Sequence, residues 1–143
     1  MLRNLPQILS PSLLYTLRAM GHGDRIALVD GNFPAESSGP DCLRLDGISA
    51  TDVLKAVLQV MPLDTFVTAP AITMQVVGDP EAVPDIVAEF QSIIDQVADH
   101  PAKISTLERH AFYEAASGAF AVVQTGEQRL YGNILLTKGI IAP

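Results

Sequence analysis

The chain has 143 residues, of which 48% are apolar and 17% are charged, and its formal net charge is −7. This length and composition are typical of one folded domain with a substantial hydrophobic core, so we interpret residues 1–143 as a single domain. The few lysines and arginines are scattered without a basic stripe, which argues against nucleic acid and an anionic membrane surface as partners.

The first half of the chain predicts the order helix, strand, strand, helix. A serine cap followed by proline begins a helix over residues 10–21, which ends at a glycine. Residues 25–30 predict a short buried strand, and turn-forming residues fill 31–41. A short strand over 42–45 then precedes an amphipathic helix over 49–61.

The second half continues the alternation of strands and helices. Its elements are a strand over 71–77, a helix over 84–99, a strand over 103–108, a short helix over 109–117, and two strands over 119–126 and 133–139. This order favours the α/β class, with helices packed over a central sheet.

Several kinds of site are disfavoured by what the sequence lacks. Cys42 has no second cysteine to pair with, and the three histidines lack the spacing of a metal motif, so we expect neither a metal nor a cofactor. There is no glycine-rich phosphate loop or serine nucleophile motif. The N-terminal residues make a poor signal peptide, and no apolar run approaches the ~20 residues that span a bilayer, so the expected location is the cytoplasm.

Two titratable residues lie near the ends of the first predicted strand. Asp30 closes it, and ligands of open α/β sheets bind beyond the carboxyl ends of strands, although Asp30 can equally cap the turn at Gly31 and Asn32. His22 lies between two glycines in the preceding turn. Histidine can transfer protons near neutral pH, but a histidine here is also explained by the nearby helix C-terminus.

Two later segments are rich in hydrogen-bonding groups. In "LERHAFYE", Arg109 and Tyr113 share a helix face, which suits either a sugar or carboxylate pocket or a solvated first turn with self-paired charges. The final strand opens with Tyr131, Gly132 and Asn133. These residues form either a simple turn or an aromatic surface and an amide that orient a polar ligand.

Three segments together resemble one known family: "SPSLLYTLRAMGHGDRIALVDGNFP", "RHAFYEAASGAFAVVQTGE" and "YGNILLTKG". In order and spacing they are similar, nearly end to end, to the L-fucose mutarotase / D-ribose pyranase family (FucU/RbsD). The resemblance implies a single RbsD-like domain in a cytoplasmic ring oligomer, commonly a decamer. It also implies a cofactor-free and metal-free isomerase of carbohydrate metabolism, which interconverts the anomers or ring forms of a free monosaccharide.

The resemblance also assigns roles to individual residues. It makes His22 the catalytic proton-transfer residue. It implies that the residues that bind the sugar are Asp30, Arg109, Tyr131, Gly132 and Asn133. These assignments fit the chemistry, because mutarotation needs only a proton moved between the ring oxygen and the anomeric hydroxyl while other groups hold the sugar.

The sugar itself is less well defined by the sequence. Arg109 followed by "AFYE" resembles the fucose branch, whereas His110 stands where that branch usually has an apolar residue, and we assign His110 no role. We therefore expect L-fucose, with D-ribose or a related sugar as the alternative substrate. A non-catalytic sugar-binding protein on the same scaffold is the alternative from another functional class.

The predicted strand places the two principal candidates apart. At ~3.3 Å per residue, a strand over 25–30 sets His22 and Asp30 roughly 15–25 Å from each other. His22 and Asp30 cannot both contact one small sugar unless the turn curls back or two chains share the site. The sequence therefore predicts a site at a subunit interface, with residues from two neighbouring chains.

Overall fold

A computed structural model describes all residues, 1–143, and confirms the α/β class with a six-stranded mixed sheet and four helices. The helices are α1 (Pro11–Ala19), α2 (Ala50–Leu58), α3 (Asp85–Val97) and α4 (Arg109–Ser117). The strands are β1 (Arg25–Val29), β2 (Asp41–Leu45), β3 (Ala71–Met74), β4 (Ser105–Leu107), β5 (Ala121–Thr125) and β6 (Ile134–Thr137). Every predicted element is present, and most are shorter than predicted because turns occupy their ends.

The order of strands in the sheet is β2-β5-β1-β6-β3-β4. The pairs β1–β5, β2–β5 and β3–β4 are parallel, whereas β6 runs antiparallel to both β1 and β3. Five strands therefore run in one direction and β6 alone is reversed. The carboxyl ends of those five strands meet the start of β6 at one edge, which we call the carboxyl edge; the opposite one is the amino edge.

The sheet separates two hydrophobic cores. Along β1, Ile26 and Leu28 face the core under α1, α2 and α3, whereas Ala27 and Val29 face the smaller core under α4. All four are fully buried. Such alternation follows from the two-residue period of a strand, and burying Ile26 or Leu28 contributes roughly 1.5–3 kcal/mol. β1 is thus fixed on both faces, and so are the turns at its two ends.

The helix starts are set by local side-chain caps. Ser10 accepts the N–H of Leu13 and precedes Pro11 at the first helical position of α1, as predicted. Glu108 caps α4 by accepting the N–H groups of His110 and Ala111. This cap places Arg109 in the first turn of α4, at the carboxyl edge. None of the four helices has the length and apolar character that crossing a membrane requires.

Candidate functional site

A cavity of about 210 Å³ opens at the carboxyl edge of the sheet. It is lined by Asp30, Asn32, Phe33, Met74, Val77, Arg109, Tyr113, Leu130, Tyr131 and Asn133. These residues follow β1, β3 and β4 or precede β6, so four distant segments meet because their strands end together. This is where open α/β sheets bind ligands, and the volume is below the ~300–1,000 Å³ of drug-sized sites.

The floor of the cavity is a reciprocal pair of Asp30 and Asn133. The Asp30 backbone N–H donates to Asn133 Oδ1 at 2.8 Å, and Asn133 Nδ2 donates to Asp30 Oδ2 at 3.0 Å. Each residue is only 4% exposed. The other carboxylate oxygen, Oδ1, accepts the Asn32 N–H at 2.9 Å. Asp30 thus caps its turn and also lines the cavity, whereas its contact with a ligand stays a prediction.

Burial raises the pKa of the Asp30 carboxyl above its ordinary value. The hydrogen bonds from the Asn32 N–H and the Asn133 amide act in the opposite direction, since they stabilise the carboxylate. The Asp30 carbonyl accepts Gln124 Nε2 at 2.6 Å, and the Gly31 N–H donates to the Glu127 carbonyl at 2.9 Å. The whole turn after β1 is therefore held rigidly at the cavity floor.

The rim of the cavity combines a cation with aromatic rings. The Arg109 guanidinium carbon lies 5.6 Å from the centre of the Tyr113 ring, a cation–π contact one helical turn along α4. The Tyr113 ring in turn lies 5.4 Å from that of Phe33. Arg109 is exposed, so its N–H groups remain available to a ligand.

Tyr131 adopts a backbone conformation that is uncommon for a residue with a side chain. Its φ angle is +66°, in the left-handed region, which is a feature that clusters at functional sites. Its hydroxyl accepts the N–H of Val77 at 3.1 Å. That bond ties the turn after β3 to the loop before β6, and so joins two walls of the cavity.

Gly132 lies behind the cavity rather than in its wall. A Cβ atom here would meet Glu127 Cγ at 2.8 Å and Ile86 Cδ1 at 2.9 Å, so only glycine fits. The Glu127 side chain is 5% exposed and pairs through both oxygens with Arg129, which also reaches Glu89. Gly132 therefore makes room for the buried Glu127 side chain, whose ion pair with the half-exposed Arg129 supports the loop carrying Tyr131.

His22 lies at the amino edge, outside this cavity. Its Nε2 atom is 3.0 Å from Asp64 Oδ1, and its ring centre is 5.2 Å from that of Phe66. The His22 side chain is 45% exposed, whereas that of Asp64 is 2% exposed. β1 separates His22 from Asp30, so a protomer presents the two residues at opposite edges of its sheet.

The contact with Asp64 determines which nitrogen of His22 is free. The N–H of Phe66 is the main cause that holds the pKa of the Asp64 carboxyl below its ordinary value, and His22 lowers it further. Asp64 is therefore an ionised acceptor, which makes Nε2 of His22 the donor in this bond. Nδ1 makes no hydrogen bond within the protomer and is left to accept or deliver a proton.

Both edges expose apolar side chains beside their polar groups. Phe66 and Val67, next to His22, are 71% and 40% exposed. Val77 and Leu130, on the cavity rim, are 63% and 67% exposed. Exposed apolar residues grouped at a polar site are typical of a surface that another molecule covers.

The remaining histidines and the cysteine contribute to neither group. His100 pairs with Asp99 at 3.0 Å, and His110 is exposed in the first turn of α4 without lining the cavity. Cys42 is a free, partly buried thiol in β2. No three His, Cys, Asp or Glu side chains are placed to hold a metal ion.

The sequence predicted some of these residues and missed others. Of the predicted site residues, Asp30, Arg109, Tyr131 and Asn133 come together in the cavity, whereas Gly132 supports it from behind and His22 is elsewhere. The partners that it missed are Asp64, Gln124 and Glu127, and the wall residues that it missed include Met74, Val77 and Leu130. Tyr113, which the sequence placed on the same helix face as Arg109, does line the cavity.

Fold and site together define a small α/β protein with a compact pocket for a hydroxylated small molecule and a separate histidine–aspartate pair. Residues 3–141 match the model of the RbsD / FucU transport protein family, and the chain belongs to this family. It is 46% identical to the fucose mutarotase of Homo sapiens and 45% to that of Bos taurus, over 99% of this chain and 95% of either relative.

Solved structures agree with this family assignment. The fucose mutarotase of Streptococcus pneumoniae, solved in complex with L-fucose, has a TM-score of 0.92 at 38% identity and covers 99% of this chain and 100% of its own. FucU of Bifidobacterium longum has a TM-score of 0.90 at 41% identity, over 96% and 99% of the two chains. Bacillus subtilis RbsD, solved with D-ribose, shares the fold with a TM-score of 0.77 at 19% identity, over 99% and 100%.

Proposed function

We propose that this protein interconverts the α and β anomers of L-fucose by opening and closing the sugar ring. The observation that carries the proposal is the cavity, whose floor is polar and whose walls are apolar. Asp30 and Asn133 offer hydrogen-bond acceptors and donors for hydroxyl groups, whereas Met74 and Val77 offer an apolar wall for a methyl group. A 6-deoxy sugar such as fucose has both kinds of surface. The fucose mutarotase relatives support the same substrate.

The proposed site is completed by a neighbouring subunit. The cavity contains no histidine, and His22 is presented with exposed Phe66 at the opposite edge of the sheet. A contact that places the amino edge of one protomer on the carboxyl edge of the next brings His22 to the sugar and covers both apolar patches. Such a contact joins two different surfaces, and repeated it generates a closed ring when the rotation between neighbouring protomers closes. This is the oligomer that the family resemblance implies, in the cytoplasm.

The proposed reaction requires proton transfer alone. A proton leaves the anomeric hydroxyl and a proton reaches the ring oxygen, the C1–O5 bond breaks, and the open aldehyde turns about C1–C2 before the ring closes on its other face. His22, with Asp64 on Nε2, moves the proton at Nδ1, and such general acid–base help contributes typically 10²–10⁴-fold. Asp30, Arg109, Tyr131 and Asn133 hold the remaining hydroxyls.

The first experiment is saturation-transfer NMR on L-fucose at anomeric equilibrium, with D-ribose measured beside it. We expect the protein to accelerate exchange between the α and β anomeric protons of fucose. The His22→Ala variant is expected to lose at least ~10²-fold of that rate while fucose still binds. His110→Ala, an exposed histidine outside the cavity, is the matched control and is expected to retain the rate.

Each alternative gives a different result in that experiment. Exchange between ring forms of ribose but not of fucose would make the protein a ribose pyranase. Fucose binding without accelerated exchange would indicate a non-catalytic sugar-binding protein, and full activity of His22→Ala would refute the proposed role of the histidine.

A second experiment tests the shared site. His22→Ala and Asp30→Asn, each expected to be inactive alone, are co-expressed with different tags, and mixed oligomers are isolated. Random assembly from equal amounts leaves about one quarter of the interfaces with both native residues, so we expect about one quarter of the wild-type rate. If each site lay within one protomer, the mixed oligomers would be as inactive as either variant.

A further inference from the structure

Lys138 follows β6 at the amino edge and lies against the end of α1. Its ammonium group donates to the Leu17 carbonyl at 2.7 Å and to the Met20 carbonyl at 2.5 Å. These are carbonyls of the last helical turn and of the residue just after it, which have no partner within the helix. The side chain of Lys138 thus fixes the point at which the chain leaves α1 and enters the turn that contains His22.

The backbone of Lys138 holds the other end of the same turn. Its carbonyl accepts the Gly23 N–H at 2.9 Å, and its N–H donates to the Asp24 carbonyl at 2.9 Å. Within the turn, Asp24 Oδ2 accepts the Gly21 N–H at 2.7 Å. The chain on both sides of His22 is therefore hydrogen-bonded to Lys138, while the His22 ring contacts Asp64.

The charge of Lys138 is not explained by an ion pair. No carboxylate lies within salt-bridge distance of its ammonium group, although the group is partly buried. Burial and the nearby Arg18 lower the pKa of Lys138, with Asp24 acting in the opposite direction. Partial burial of an unpaired charge costs free energy. A neutral side chain would avoid that cost. The hydrogen bonds that the ammonium group donates to the two carbonyls therefore explain why this residue is a lysine.

We propose that Lys138 is a positioning residue for His22, which keeps the turn over residues 20–24 in the one conformation that holds the imidazole on Asp64. The inference rests on the proposed role of His22 in proton transfer. The sugar cavity lies at the other edge of the sheet and shares no residue with this cluster. Loss of the ammonium group therefore affects the rate of proton transfer and leaves sugar binding in place.

The test compares Lys138→Met with Lys55→Met, an exposed lysine on α2 that makes no side-chain hydrogen bond in the structure. Since a displacement near 1 Å can cost about 10²-fold, we expect Lys138→Met to lower kcat for fucose exchange by about 10- to 100-fold, with KM within about twofold. Lys55→Met is expected to match the wild type in both. Lys138→Arg keeps the donors, and the adjacent cavity of about 400 Å³ has room for them, so it should restore most of kcat.

A second readout is independent of activity. The ring signals of His22, assigned by their absence in His22→Ala, are expected to shift in Lys138→Met and to remain in place in Lys55→Met. A lower melting temperature with unchanged kcat and unchanged His22 signals would overturn the inference, since Lys138 would then only stabilise α1. If the wild type shows no exchange, the proposed function fails, but the His22 signals still test the positioning. Lys138→Gln replaces Lys138→Met should the latter not fold.

Discussion

Replacing Asn133 by alanine tests how much the hydrogen bonds between Asp30 and Asn133 stabilise the fold at the cavity floor. The change removes the acceptor for the buried Asp30 N–H and one donor to its carboxylate, bonds of 2.8 and 3.0 Å. An orphaned buried group costs about 1–3 kcal/mol, so the two losses together amount to about 2–6 kcal/mol of unfolding free energy. A protein in the upper part of the ordinary range of stability, ~5–15 kcal/mol, remains folded after such a loss.

The matched control is Asn32→Ala at the neighbouring turn position. Asn32 bonds Asp30 through its backbone N–H, which survives the substitution, and its side chain is exposed. Its unfolding free energy is expected to stay within about 0.5 kcal/mol of the wild type. Denaturant unfolding at one fixed protein concentration measures both variants. A loss below about 1 kcal/mol for Asn133→Ala would refute the argument, because the pair would then be replaceable by water.

The same variant changes the pH dependence of activity. The ionised Asp30 carboxylate accepts sugar hydroxyls more strongly than the protonated group does, and its pKa is raised by burial, so activity falls as the pH drops through that raised value. The stability contribution has the opposite sign: the folded state binds this proton more tightly, so Asp30 favours folding most at low pH and less as the pH rises. Loss of the Asn133 hydrogen bond raises the pKa further, so the acid limb of the rate profile moves to higher pH in Asn133→Ala.

Two further substitutions probe the supports of the site. Asp64→Asn keeps the size of the side chain but removes the charge that orients and stabilises the protonated His22 ring, so kcat should fall about 10- to 100-fold with little change in KM, measured by NMR exchange. Arg129→Met leaves the buried Glu127 carboxylate without its partner and should lower the melting temperature by several degrees, whereas Arg44→Met, which breaks only exposed pairs, should not. Equal melting temperatures for the two arginine variants would contradict that expectation.

The elements could be predicted from the sequence because each has a strong local cause. The Ser10–Pro11 start of α1 and the helical period of α3 need no knowledge of distant residues. The strand ends were less predictable. The strand expected over residues 71–77 stops at Met74, because the chain turns back at residues 76–79, where Gly78 has a φ of +80°. The hydrophobic periodicity of the sequence does not reveal a turn of this kind.

The site was predictable only where a strand end marked it. Asp30 closes an apolar run and Asn133 opens one, so their positions at an edge of the sheet follow from the pattern. Asp64 lies 42 residues from His22, in an irregular segment between α2 and β3, and its burial depends on tertiary contacts. Glu127 is likewise a polar residue in a loop, whose burial depends on the absence of a side chain at Gly132. The polar residues that support His22 and the cavity are therefore brought into place by tertiary contacts, which the local sequence pattern does not predict.

The direction of the strands explains why the proposed site needs two protomers. Because β1 runs between the turn of His22 and the turn of Asp30, its fully buried residues fix both turns but also keep them apart. β6 runs the other way beside it, so Asn133 joins Asp30 at one end and Lys138 joins the His22 turn at the other. Each edge is thereby rigid by itself, with its own hydrogen-bond network. In the proposed ring, unlike edges meet, so this separation would give one preorganised site per interface. Proton transfer would then depend on assembly, whereas the cavity that we propose for the sugar is already formed within one protomer.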